Sequence, residues 1–155
     1  MKRSSKVFAL IVLLSLMSTA CIHKTNQAAV TPWERVTTYN AALAQANDTA
    51  EQGAEAVVSS GLATPAQAAP IIIATGRVAG LHLQVTAILK QGTATQANIA
   101  SIKAMVDQIE ASINAIPVAS LGIKNPKSQQ SFAADLKSIS TLADAVLSSL
   151  EVVQQ

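Results

Sequence analysis

Residues 99–116 read "IASIKAMVDQIEASINAI". The large apolar residues Ile99, Ile102, Val106, Ile109, Ile113 and Ile116 step 3-4-3-4-3, which places them on one face of an α-helix. Lys103, Asp107, Gln108 and Glu110 fall off that face. A helix cannot bury its own stripe, so this one requires apolar partners elsewhere in the chain. Pro117 follows Ile116 and disfavours further helix at that point.

The partner stripes lie on both sides. After Asn125, a cap residue with Pro126 in the first-turn position, Phe132, Leu136, Ile139, Ala143, Val146, Leu150 and Val153 repeat the spacing. The connection "PVASLGIKN" (117–125) carries Val118, Leu121 and Ile123, enough apolar area to plug the end of a bundle. Upstream, Val36, Tyr39, Leu43, Ala46, Ala50, Gly53 and Val57 form a face of mostly small residues, and Gly61 is placed to close that helix in a left-handed conformation.

Two similar tetrapeptides precede these patterns. "TPWE" (Thr31–Glu34) and "TPAQ" (Thr64–Gln67) each offer a threonine hydroxyl for an N-cap and a proline where its missing N–H costs nothing. Each ends in a side chain able to reach back to the cap backbone. Both are read as helix starts rather than recognition motifs; Thr93-Ala94-Thr95-Gln96 is a looser third instance. Pro70 would remove the hydrogen bond to the Ala66 carbonyl, so a short turn is expected over 65–69 and a separate helix from Pro70 to Gln91, closed by Gly92. Its stripe is Ile71, Ala74, Val78, Leu81, Val85 and Ile88. A second apolar row, Ile72, Gly76, Gly80, Leu83 and Ala87, leaves little polar surface, so this helix is expected to be the most buried.

No strand pattern is found. The expected fold class is all-α: a small antiparallel bundle of about four helices over residues 31–155, up-down-up-down because the connections are short, with crossing angles near about +20°. An open helical array or an intermolecular bundle is the alternative.

The first thirty residues differ in kind. "MKRSSK" is a basic segment, and Val7–Met17 is an apolar run of the length of a signal-peptide core, too short for the roughly 20 apolar residues of a transmembrane helix. All nine acidic residues lie after position 20 and three of the eleven basic ones lie before it. Removal of residues 1–20 therefore leaves eight basic against nine acidic residues, a net charge of −1 in place of +2. The remaining chain has no basic footprint for nucleic acid.

Met17-Ser18-Thr19-Ala20-Cys21 resembles the lipobox of bacterial lipoproteins. The resemblance implies cleavage between Ala20 and Cys21, a diacylglycerol thioether on Cys21, and a membrane anchor at the new N-terminus. In Gram-negative lipoproteins a residue other than aspartate after the cysteine implies the outer membrane, and Ile22 fits that rule. Cys21 is the single cysteine of an exported chain, so it has no intramolecular disulfide partner. Ordinary secretion, with Ser18 and Ala20 as a small-residue cleavage site, is the alternative. The expected organisation is signal peptide 1–20, tether 21–30, and helical domain 31–155.

Little in the chain suggests catalysis. His23 lies in the tether, and His82 has Thr86, not a metal ligand, four residues on. There is no C-x-x-C-H haem motif, nothing in the sequence brings Met105 to His82, and Ser59 and Ser60 lack a nucleophile elbow. Asp48, Glu51 and Glu55 share one polar helix face and read as solvated. Gly76-Arg77-Val78-Ala79-Gly80 matches G-x-x-x-G, read here as close helix packing within the bundle, with a contact between subunits as the alternative. No enzyme, cofactor or metal site is expected. The expected role is that of a non-enzymatic envelope lipoprotein on the periplasmic face of the outer membrane, acting through protein contacts or scaffolding. An exported module for an apolar ligand and a phage-encoded envelope protein are the alternatives.

Overall fold

The computed structural model describes residues 30–123 and 125–154. Residues 31–155 cluster as one compact unit. It contains helices α1 (Pro32–Ser59), α2 (Pro65–Leu89), α3 (Gln96–Asn114) and α4 (Pro126–Val153), with a single 3-10 turn at Val118–Ser120 before α4. Each helix packs on its neighbours in the chain, and α1 closes the bundle against α4. The diagonal pairs make no backbone approach among the described residues, so the four helices stand at the corners of a square.

Cross-helix contacts set the directions. Asn40 meets Thr86 while Asn47 meets Thr75, so α1 and α2 are antiparallel. Gly53 lies against Phe132 while Tyr39 shares a groove with Ala145 and Ser149, so α1 and α4 are antiparallel too. The molecule is the expected all-α antiparallel four-helix bundle.

The starts of the helices follow from their caps. Thr31 Oγ1 accepts from the N–H of Glu34 at 3.2 Å, and Glu34 Oε2 accepts from the N–H of Thr31 at 2.7 Å. Thr64 and Gln67 form the same box at 3.3 and 2.8 Å. Two otherwise orphaned amides are thereby satisfied at each start. For α3 the cap is Thr95, accepting from Asn98 N–H at 3.1 Å, so the box suggested by Thr93 and Gln96 does not form. The third residue after Thr95 is Asn98, whose amide instead reaches the Thr93 carbonyl. Asn125 caps α4 as expected. α1 ends as a Schellman motif, with Leu62 N–H on Val57 O, Gly61 N–H on Val58 O, and Gly61 at φ +72°.

The core is filled by the stripes. All six apolar residues of the α3 stripe are buried, as are Phe132, Leu136, Ile139, Ala143, Val146 and Leu150 of α4. Leu121 and Ile123 close one end.

On α1 and α2 the structure departs from expectation. On α1, Val36, Leu43 and Ala50 are buried as expected, but their companions are Asn40, Asn47 and Ala54; Tyr39, Ala46, Gly53 and Val57 are only half-buried. The stripe is rotated toward α2, where polar groups await the two asparagines. In α2 there is no break: Pro70 sits inside one continuous helix. Only one turn precedes it, and the carbonyl it deprives belongs to Ala66, an exposed residue beside which water can take the lost donor's place.

α2 has more buried residues than any other helix, as expected, but its second row is not among them. Ile71, Ala74, Val78, Leu81, Val85 and Leu89 face the core, whereas Gly76, Gly80, Leu83 and Ala87 of the second row face outward. A Cβ added at Gly76 or Gly80 would meet nothing within 4 Å, so the G-x-x-x-G pair does not serve close packing inside the bundle. A helix at one corner of a square has two neighbours and an open side, whatever its composition.

Candidate functional site

Ala20 and Cys21, the expected cleavage and lipidation residues, lie outside the described residues, as does His23. The features that remain are a polar ring between α1 and α2, an acidic pair between α3 and α4, and the outer face of α2.

The polar ring is built by three residues. His82 Nδ1 lies 3.2 Å from Asn40 Oδ1, Asn40 Nδ2 donates to Thr86 Oγ1 at 3.0 Å, and Thr86 Oγ1 lies 3.5 Å from His82 Nε2. A neutral imidazole protonated on Nδ1 satisfies all three contacts at once: His82 donates to Asn40, Asn40 to Thr86, and Thr86 to His82. Burial lowers the His82 pKa below its ordinary value, opposed by the Asp48 carboxylate and by Asn40. The ring forms the polar part of an open groove of about 370 Å³, whose other walls are Thr37, Ala41, Ala44, Leu89 and Lys90. The sequence places Thr86 one turn after His82 but does not bring Asn40 to it, because Asn40 lies 42 positions away and a lone asparagine carries no motif.

Two turns further along α1, Asn47 is 1% exposed and donates to the Thr75 carbonyl at 3.1 Å. Asn40 and Asn47 occupy successive core positions of α1, seven residues apart. Polar residues at such positions fix helix register at some expense in stability.

On the other side of the bundle, Glu110 of α3 faces Asp144 of α4, and its Oε1 is buried with no hydrogen-bond partner. Burial first, then the neighbouring Asp144 and Asp107 carboxylates, raise the Glu110 pKa above its ordinary value. Burial alone raises Asp135. Of the α1 acids noted in the sequence, Asp48 and Glu55 are exposed and Glu51 is half-exposed. The Ser59 and Ser60 hydroxyls bond to carbonyls of their own helix. Among the described residues, no group of three His, Cys, Asp or Glu converges as a metal site would require.

The outer face of α2 is the largest departure from an ordinary soluble surface. Ile73 is 72% exposed and Leu83 65%, the two most exposed large hydrophobic residues among those described. Gly76, Gly80 and Ala87 share this outward face; Ile72, the first residue of the expected second row, is half-buried, and the exposed Ile73 stands in its place. α2 contains one charged residue, Arg77, and Lys90 follows its end; no acidic residue occurs between Glu55 and Asp107.

No family model, no curated protein and no solved structure matches the chain.

Proposed function

We propose that the chain is a small, non-enzymatic envelope lipoprotein: a helical bundle held at a membrane by lipid on Cys21, and working through its surface as a scaffold or docking body. The observation that carries this reading is where the apolar side chains go. The four inward faces fill the core with one another, while the remaining apolar row, Ile73 to Ala87, is turned outward. A chain arranged this way has its unmet interactions on the surface, where large exposed apolar residues mark contact sites. The lipobox-like segment and the single cysteine supply the anchor in this reading, and the periplasmic face of the outer membrane is its proposed location. The test is fractionation of cells expressing the wild type and Cys21→Ser. Wild type in the membrane fraction with the variant released is the expected result; equal release of both defeats the reading.

The groove beside His82 favours a second reading, an exported module that binds a small, largely apolar ligand between α1 and α2. Its test is a panel of fluorescent amphiphiles added to the wild type and to Ala44→Trp, which fills the groove. Saturable binding lost in the variant supports it.

A further inference from the structure

The outward row of α2 has a composition that selects its occupant. We propose that this face docks on the anionic leaflet to which the chain is tethered, so that α2 lies along the membrane surface and the acid-bearing helices face away from it. This rests on the lipid-anchor reading.

Charge distribution is the first support. The nine acidic residues all lie on α1, α3 and α4, four on α1, two on α3 and three on α4, and none on α2. The charges on and directly after α2 are Arg77 and Lys90, both basic and both exposed. An anionic surface would repel the other helices and attract this one, at about 1 kcal/mol per basic residue close to it.

Apolar geometry is the second. Ile73, Gly76, Gly80, Leu83 and Ala87 step 3-4-3-4 and run about 21 Å along the helix axis at 1.5 Å per residue. Ile73 and Leu83 project from a row otherwise made of small residues, so two aliphatic side chains enter the headgroup region while the backbone stays close to it. This is the arrangement of an interfacial helix, with one apolar strip and basic residues at its margin.

Chain length is the third. Nine residues, 22–30, separate Cys21 from Thr31, ten steps with a reach of at most about 35 Å. The tether ends at the start of α1, and Asn40 of α1 is bonded to Thr86 near the end of α2. The chain therefore joins the bundle at the end where Leu83, Ala87 and Lys90 lie.

The experiment uses the full lipidated protein in vesicles containing phosphatidylglycerol. An environment-sensitive fluorophore is attached to Leu83→Cys on α2 or, as control, Ser138→Cys on α4; both sites are exposed, and the Cys21 thiol is blocked by its lipid. The expected result is blue-shifted emission and quenching by lipid-borne quenchers at position 83, with water-like, unquenched emission at 138. Arg77→Gln should lower the embedded-to-free ratio of the probe roughly fivefold, the equivalent of about 1 kcal/mol. Water-like emission at both positions, in protein that floats with the vesicles, overturns the docking and leaves the anchor intact. Blue-shifted emission that needs no vesicles and rises with protein concentration means that a second copy covers the row, and also overturns it. If the wild type carries no lipid, the anchor reading fails separately. The same two probes are then read on the unmodified protein, where unshifted emission with anionic vesicles rejects the docking as well.

Discussion

Asn47 donates to the carbonyl of Thr75 at 3.1 Å from inside the core, and its own Oδ1 is buried with no hydrogen-bond partner. A buried acceptor without a donor costs about 1–3 kcal/mol. With Asn40 one heptad earlier, it fixes how α1 sits on α2. Asn47→Leu should therefore raise the unfolding free energy by about 1–3 kcal/mol, because the orphaned oxygen disappears. The Thr75 carbonyl, left in a continuous helix, keeps its helical acceptor role. Urea denaturation measures the gain; a loss of stability would mean that the Thr75 bond outweighs the orphan.

The glycines of α1 and α2 give a paired prediction. A Cβ at Gly53 would lie 3.3 Å from Phe132 Cε1, whereas one at Gly80 meets open space. Gly53→Leu should destabilise by about 1–3 kcal/mol through overpacking. Gly80→Leu should be neutral or stabilising by up to about 1 kcal/mol, because leucine favours helix over glycine. Thermal melts should show a lowered midpoint for Gly53→Leu and an unchanged or raised one for Gly80→Leu.

The caps are separable from the loop they hold. Thr31→Ala and Thr64→Ala should each cost about 1 kcal/mol. Gln67 does two things: its Oε1 completes the box, and its Nε2 donates to Gly122 O at 2.7 Å. Gln67→Glu keeps the first and loses the second. It should therefore destabilise, and should speed amide exchange around Gly122 more than around Thr64. Equal exchange at the two sites would show that the loop does not depend on this bond.

Two titrations oppose each other. The lowered His82 pKa means that the unfolded chain binds its proton more readily, so stability from the neutral ring is present above the ordinary value of 6.5 and is lost as pH falls through the folded value. Glu110 is raised, so its contribution is present below its ordinary 4.5 and is lost as pH rises through the folded value. Against wild type, Glu110→Gln should gain stability as pH rises from 4 to 7, and His82→Gln as pH falls from 7 to 5. Urea midpoints across that range check both signs.

Much of this fold is legible because its helices announce themselves. The isoleucine stripe of α3 and the Phe132–Leu150 stripe of α4 are apolar on one side and polar on the other, so spacing alone places them. α1 is harder, because Asn40 and Asn47 hold core positions that an apolar count passes over. α2 misleads for the opposite reason: Gly76, Gly80, Leu83 and Ala87 look like core on composition, and only the square packing shows that no helix covers them. Pro70 misleads because a proline one turn into a helix removes a bond that solvent can replace. The polar ring at His82 depends on a pairing of distant residues, which spacing within one helix does not encode.

The central claim, a bundle held at a membrane through Cys21, is tested most directly by the intact mass of the wild-type protein extracted from cells. The account predicts a chain that begins at Cys21, lacks residues 1–20, and carries the added mass of a diacylglyceryl group with or without a further acyl chain. A mature chain with an unmodified Cys21 thiol, recovered free of membranes, would contradict it.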